Sequence, residues 1–208
     1  HFLGLAKFAV PIQSALNISH PRGLALVILF GVIFGLTGRF FAVSLKYAKE
    51  KMSHYFENPY ARIGLVSIPL AIILTLLYQG RYSGLGTNLI AAAFGGQTIF
   101  AYDWLLKIFL TVLTLSIGFQ GGEVTPLFSI GASLGVIVGE VFGLPPEVCA
   151  ALGYAAVFGS ATNTLMAPVL IGLEVFGADN ALAFALVCTV AYLVNGNRSI
   201  YTAQQLEC

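Results

Sequence analysis

Long stretches without a charged residue, most of them interrupted by glycine or proline, constrain the fold of this chain more than any other feature. They run over 23–38, 63–80, 82–102, 108–122, 124–139, 148–173 and 180–197. A helix that crosses a bilayer needs about 20 apolar residues, and several of these stretches are shorter. We therefore expect an all-α integral membrane protein with tilted and broken helices that stop inside the membrane, rather than straight spans or a β-barrel.

The composition supports a membrane environment and excludes several classes of function. Hydrophobic residues make up 58% of the chain and charged residues 9%, whereas a soluble domain carries roughly 25% charged residues. The net charge of +1 gives no electrostatic support for nucleic acid binding. The sequence shows no Ser/His/Asp, Cys/His or metal-ligand arrangement, so we expect no enzymatic activity, no metal and no cofactor.

Glycine, proline and polar residues divide the chain into predicted helices over 22–55, 59–78, 87–95, 101–117, 126–142, 147–159, 164–176 and 179–195. Gly31 and Gly35 have a spacing typical of close helix packing. The basic segment 46–62 is expected on the cytoplasmic side, although a solvated helix end would have the same composition. Asp103 and Lys107, near the start of their helix, are typical of a membrane interface.

The turn at 121–126, Gly-Gly-Glu-Val-Thr-Pro, predicts a helix start that is able to hold an anion. Pro126 suits the first helical position, where its missing N–H costs nothing. Thr125 would then be the N-cap, with a hydroxyl for the helix or a ligand. Gly121 and Gly122 would let the backbone turn and expose its N–H groups to an anion. An ordinary structural helix start is the equal alternative.

Glycines recur at every fourth position behind this turn, at Gly131, Gly135, Gly139 and Gly143. Small residues with this spacing lie along one helix face and allow close packing between helices in lipid. We expect this packing to fix the helix whose N-terminus follows Glu123.

Glu123 and Tyr201 are the side chains most suited to transport chemistry. A carboxylate buried beside an apolar helix start is costly, which indicates a role for Glu123. It could carry a proton, anchor the structure locally or lie exposed to water. The Tyr201 hydroxyl can donate to an anion, although a tyrosine after a final apolar stretch is more commonly an interfacial residue.

The sequence resembles the CLC family of chloride channels and anion/proton antiporters. The resemblance is carried by Gly122–Pro126, the small-residue helix behind it, Tyr201 at the start of the terminal helix, Gly159–Thr162, Met166–Pro168 and Leu173-Glu174. It covers only the C-terminal half of a family subunit. Residues 1–17 look like the end of the first half, and residues 22–208 look like the second repeat of an inverted-repeat transporter.

The resemblance implies roles for individual residues. Chloride members typically carry Phe where this chain has Val124, and the Glu-Val-Thr wording is similar to the fluoride-exporting branch. By that resemblance, Gly122, Val124, Thr125 and Tyr201 bind the anion, and Glu123 passes protons from the cytoplasm. The family's gating glutamate lies in a GxEGP-like stretch of the first half, which does not occur in this sequence.

The resemblance implies a fluoride/proton antiporter of a bacterial cytoplasmic membrane, with fluoride or chloride and protons as its ions. The chain would need the missing N-terminal half of the same subunit. Helices 164–176 and 179–195 resemble those at the family's homodimer interface. A chloride channel or chloride/proton exchanger of the same fold is the alternative, and a non-transporting membrane assembly module is the alternative of another class.

Overall fold

The computed structural model describes residues 9–12, 14–16, 18, 20–201 and 204, and all the regular structure in these residues is helical. The α-helices are α1 (Pro21–Tyr55), α2 (Pro59–Leu76), α3 (Thr87–Phe94), α4 (Asp103–Ser116), α5 (Val124–Phe142), α6 (Pro146–Thr162), α7 (Met166–Phe176) and α8 (Ala181–Asn195). A short 3-10 turn, Tyr78–Gly80, follows α2. The expectation of an all-α chain is confirmed.

Helix length separates the elements into two groups, as the charge-free stretches predicted. Helices α1, α2 and α5 are long and apolar enough to cross a membrane. Helices α7 and α8 are apolar but shorter, with 11 and 15 residues. A helix rises 1.5 Å per residue, so these two reach only about 16 Å and 22 Å, less than a bilayer core of roughly 30 Å. By length alone, neither helix would cross the whole apolar layer.

The predicted glycine face of α5 is confirmed, and it packs against α6. A Cβ placed on Gly131 would lie 2.1 Å from the carbonyl oxygen of Gly153, and one on Gly135 would lie 2.2 Å from that of Cys149. Gly139 is also close, at 3.1 Å from the Cβ of Cys149. Gly143 does not belong to this face. It ends the helix with a φ of 64°, a left-handed conformation that suits glycine.

Helix α1 also packs closely through glycines, against α8 and α6. A Cβ on Gly31 would lie 2.6 Å from Val190 of α8, and one on Gly35 would lie 2.9 Å from Ala191 of the same helix. A third glycine, Gly38, meets Ser160 of α6 at 2.6 Å. The close packing predicted from Gly31 and Gly35 is therefore confirmed, and α1, α6 and α8 form one tightly packed core.

Some predicted helix ends were wrong by several residues. Residues 160–162, expected between two helices, belong to the last turn of α6. The helix ends instead at Asn163, which takes the left-handed conformation, with a φ of 53°. The N–H of Thr164 then donates to the carbonyl of Gly159 at 2.9 Å, which closes the terminus. Helix α2 ends at Leu76, two residues before the expected Tyr78.

The segment before α1 lies against the junction of α7 and α8. The N–H of Val10 donates to the carbonyl of Val175 at 2.8 Å. Asn180 joins the two parts through its side chain: its amide donates to the carbonyl of Ser14 at 2.9 Å, and its oxygen accepts from the N–H of Leu16 at 3.0 Å. The described residues before α1 are thus docked onto the connection between α7 and α8.

Candidate functional site: the N-terminus of α5

The helix at the 121–126 turn begins earlier than the sequence predicted. Glu123, not Thr125, is the N-cap, and Pro126 is the third helical residue rather than the first. Glu123 already has helical torsions, with φ of −81° and ψ of −23°. Its carbonyl accepts from the N–H of Leu127 at 3.3 Å, so the first helical turn closes on Glu123. Proline is tolerated at the third position because the first N–H groups of a helix have no partner within it.

This start leaves backbone donors without partners. Within the part of the chain that the structure describes, the N–H groups of Val124 and Thr125 donate to no acceptor, and Pro126 has no N–H to offer. The side chain of Glu123 does not cap the helix. Val124 and Thr125 are half-buried. Two free donors at the positive end of a 19-residue helix form a site suited to a small anion.

The glycines before the helix have a different role from the one predicted. Gly121 and Gly122 are exposed, and neither has a positive φ. The chain instead turns at Gly118, where φ is 110°. A Cβ on Gly121 would meet no atom within 4 Å, and one on Gly122 would only approach Leu85 at 3.9 Å. The two glycines therefore keep the approach to the helix N-terminus open, and sequence reasoning missed Gly118.

Glu123 is paired with a lysine that the sequence did not point to. Lys49, on the last turns of α1, donates to its Oε1 at 3.2 Å. The side chain of Glu123 retains 19% of its exposure. Both residues line a cavity of about 500 Å³ together with Ser53, Arg62 and the 118–121 segment. The carboxylate is thus held by an ion pair at the edge of this cavity.

Arg62 completes the basic side of this cavity without pairing to the carboxylate in the described part of the chain. Its Nε donates to the carbonyl of Ile117 at 3.0 Å, and its Nη1 donates to Ser53 at 3.0 Å. The first bond fixes the end of α4 just before the turn at Gly118. Arg62 therefore positions the loop that leads to the site.

The structure does not bring Tyr201 into contact with the turn. Tyr201 is 45% exposed, and its hydroxyl makes no hydrogen bond within the described residues. It lines a separate cavity of about 430 Å³ with Lys46 and Glu50 of α1 and Arg198. The predicted residues Gly122 to Thr125 therefore lie together, whereas Tyr201 lies on another side of α1. The terminal helix expected after Tyr201 falls mostly outside the described residues.

A buried polar cluster holds the loop between α2 and α3, which lies beside the N-terminus of α5. Asp103 is fully buried and accepts from Arg81 at 2.6 Å, from the Tyr82 hydroxyl at 2.5 Å and from the N–H of Phe100 at 2.9 Å. Burial and the bond to Asp103 raise the pKa of Tyr82, which lies in the loop between α2 and α3. Lys107, only 1% exposed, donates to the carbonyls of Tyr82 and Gly84 at 2.9 and 2.8 Å.

Asp103 and Lys107 were expected at a membrane interface, but both are buried within the protein. Both point into the protein because the loop 81–84 folds over them and supplies their partners. Lys107 also lines a cavity of about 260 Å³ that reaches Gly121, Gly122 and Pro126. The cluster therefore fixes one wall beside the N-terminus of α5.

Comparison with known proteins gives a consistent family assignment. The profile of the voltage-gated chloride channel family matches residues 5–196. The chain is 36% identical over 186 residues to the chloride/fluoride channel protein of Pseudomonas syringae pv. tomato, covering 86% of this chain and 41% of that protein. It is 26% identical over 200 residues to an H(+)/Cl(−) exchange transporter of Yersinia pestis, again over 86% of this chain and 41% of that protein.

A solved structure is similar over almost the whole chain. The crystal structure of a CLC-type fluoride/proton antiporter is 54% identical, with a TM-score of 0.93, over 97% of this chain and 51% of that one. The chain thus spans about half the length of the relatives it matches. The resemblance carried by the 122–126 turn, including that to the fluoride branch, is confirmed. This chain belongs to the voltage-gated chloride channel (CLC) family of integral membrane proteins.

Proposed function

We propose that this chain is the C-terminal half of a fluoride/proton antiporter that exports fluoride across a bacterial cytoplasmic membrane. The observation that carries the proposal is the N-terminus of α5, where the free N–H groups of Val124 and Thr125 lie beside the carboxylate of Glu123. The similarity to a fluoride/proton antiporter at 54% identity supports fluoride and protons as the ions.

Fluoride is small and strongly hydrated, so a site that accepts it must replace water with close donors. In our proposal these donors are the Val124 and Thr125 N–H groups and the Thr125 hydroxyl. The Tyr201 hydroxyl, which lines a separate cavity in this structure, would join them only after a change in its position. Gly122 leaves the approach clear of side chains. Val124, with its short side chain, leaves more room than a phenylalanine. The N-terminal half of the subunit would close the other side of the site and supply the gating glutamate.

Glu123 is the proton carrier in this proposal. Its carboxylate lies at a cavity that holds Lys49, Ser53 and Arg62, polar groups that favour water and ion entry. A carboxylate next to an anion site repels the anion when charged and ceases to do so when protonated. Coupling therefore follows if protonation of Glu123 accompanies anion movement.

A homodimer is the proposed assembly, formed through α7 and α8. Both helices expose large apolar side chains: Met166 is 69% exposed and Leu170 59%, while on α8 Leu182 is 62% exposed and Leu193 70%. Leu182 and Leu193 lie on one face of α8 because eleven residues complete about three helical turns. Apolar faces of this kind are suited to a second copy as well as to lipid.

Ion flux from liposomes tests the function directly. The full-length parent protein is reconstituted, and fluoride efflux, chloride efflux and internal pH are followed in the same vesicles. We expect fluoride efflux with proton uptake and little movement of chloride. Equal or greater chloride flux would replace the proposal with a chloride channel or exchanger. Movement of neither ion would favour a membrane assembly module.

A further inference from the structure

Glu123 occupies the N-cap of α5 but does not use its carboxylate there. N-cap side chains commonly accept from the first backbone N–H groups of their own helix. The Glu123 carboxylate instead accepts from Lys49 at 3.2 Å, and Lys49 belongs to another helix, 74 residues earlier in the chain. The position of the negative charge is therefore set by α1 and not by α5.

The alternative position of this carboxylate has a direct consequence for the anion. A negative charge near a helix N-terminus is favoured by the helix dipole and by the free N–H groups. From its place at the N-cap, the carboxylate of Glu123 could turn toward the N–H groups of Val124 and Thr125. It would then occupy the donors that an anion needs, and its charge would repel that anion.

We propose that Lys49 is a positioning residue that holds the carboxylate of Glu123 away from the N-terminus of α5 and so keeps the Val124 and Thr125 donors open to the anion. The inference rests on the proposed function, because it concerns the same anion site. The two attractions on the carboxylate are of similar size, since a partly exposed ion pair and a charge at a helix terminus each contribute modestly. Removal of Lys49 is therefore sufficient to change the balance.

Of the basic side chains described near Glu123, Lys49 is the one that pairs with its carboxylate. Arg62 lines the same cavity, but its guanidinium donates to the carbonyl of Ile117 and to Ser53. Lys51 is two residues after Lys49, and its ammonium lies over the ring of Tyr47, 5.6 Å from the centroid. Within the described residues, Lys49 alone forms an ion pair with Glu123.

The test measures fluoride binding by titration calorimetry and the concentration dependence of fluoride efflux in the full-length parent protein. Lys49→Met is compared with Lys51→Met, which removes an equal charge from the same end of α1. We expect Lys49→Met to raise the Kd and the KM for fluoride about three- to tenfold, the range set by a charge at a helix terminus. The rate at saturating fluoride should change less. Lys51→Met should bind as the parent does, and Lys49→Arg should restore most of the affinity.

A double-variant cycle separates positioning from a loss of structure. Glu123→Gln removes the competing charge, so Lys49→Met should raise the Kd no further in that background. An equal loss of affinity with and without the Glu123 carboxylate would overturn the inference, as would parent-like binding by Lys49→Met. Each variant is checked for a single peak in size-exclusion chromatography. Absence of fluoride binding in the parent protein would count against the proposed function itself, which distinguishes the two failures.

Discussion

Asp103 and Lys107 lie one turn apart on α4, and both are almost completely buried. The charge of Asp103 is balanced by Arg81, whereas the ammonium of Lys107 is held by two backbone carbonyls. Burying a charge is costly unless it is paired or fully hydrogen-bonded. These two residues therefore tie the loop 81–84 to α4 strongly, because their partners are needed to keep them buried.

Asp103→Asn should destabilise the protein by about 3–5 kcal/mol, the cost of breaking a buried ion pair by removing one partner. Arg81 would lose its counter-ion. Thermal unfolding of the full-length parent protein in detergent, followed by the loss of the monodisperse chromatographic peak, gives the measurement. Asp179→Asn is the matched control because Asp179 is exposed. Equal melting temperatures for the two variants would contradict the role of the cluster.

At this scale the sequence predicted that the 121–126 turn leads into a helix, but not what its side chains contact. The role proposed for Glu123 follows from its place at the helix start, which is local information. Its partner Lys49 is distant in sequence, so no spacing rule could identify it. The N-cap was predicted at Thr125 because capping preferences describe only local chemistry. In the structure Glu123 already has helical torsions and contacts Lys49 of a distant helix, which local preferences do not include.

The packing of α5 on α6 depends on the absence of side chains at a few positions. The hypothetical Cβ of Gly135 lies 2.2 Å from a backbone carbonyl oxygen, which a rotamer change cannot relieve. The helices would have to move apart, and overpacking of this kind costs about 1–3 kcal/mol. Because the proposed anion site is at the N-terminus of α5, a shift of this helix would also move that site.

Gly135→Ala should therefore lower both the melting temperature and the fluoride flux of the full-length parent protein. Gly64→Ala on α2 is the control, since a Cβ there meets no atom within 4 Å and alanine favours a helix. The control should melt at the parent's temperature or above it. A Gly135→Ala variant with unchanged melting temperature would show that α5 and α6 can separate at little cost.

Helix positions were predicted well because glycine, proline and charge mark their ends locally. The exceptions are instructive. Residues 159–162 contain small and polar side chains that suggest a loop, yet they remain helical because α1 and α7 pack around them, with Gly38 against Ser160 and Gly159 against Pro168. Tertiary packing overrode a local preference, and the sequence alone carries no sign of that packing.

At the scale of the whole molecule, the exposed faces of α7 and α8 predict how copies of the subunit associate. The double variant Leu182→Gln, Leu193→Gln should convert the proposed dimer of the full-length parent protein to monomer in detergent, measured by light scattering after size exclusion. Twofold symmetry places each change in the interface twice, which doubles its effect. Leu65→Gln on α2, with 65% exposure, should leave the dimer intact. Persistence of the dimer in the double variant would place the interface elsewhere.

The two hydrogen bonds between the Asn180 side chain and the segment before α1 set an order of events during biosynthesis. Leu16 and Asn180 are separated by 164 residues, so these hydrogen bonds form only after the intervening residues have been made. At a synthesis rate of about 5–20 residues per second, Leu16 leaves the ribosome roughly 8 to 30 seconds before its partner. Helices α1 to α7 are synthesised during that interval, before the segment that precedes α1 can bond to Asn180. A nascent chain that stops short of Asn180 could not form these hydrogen bonds, although the residues of α1 to α7 would already have been made.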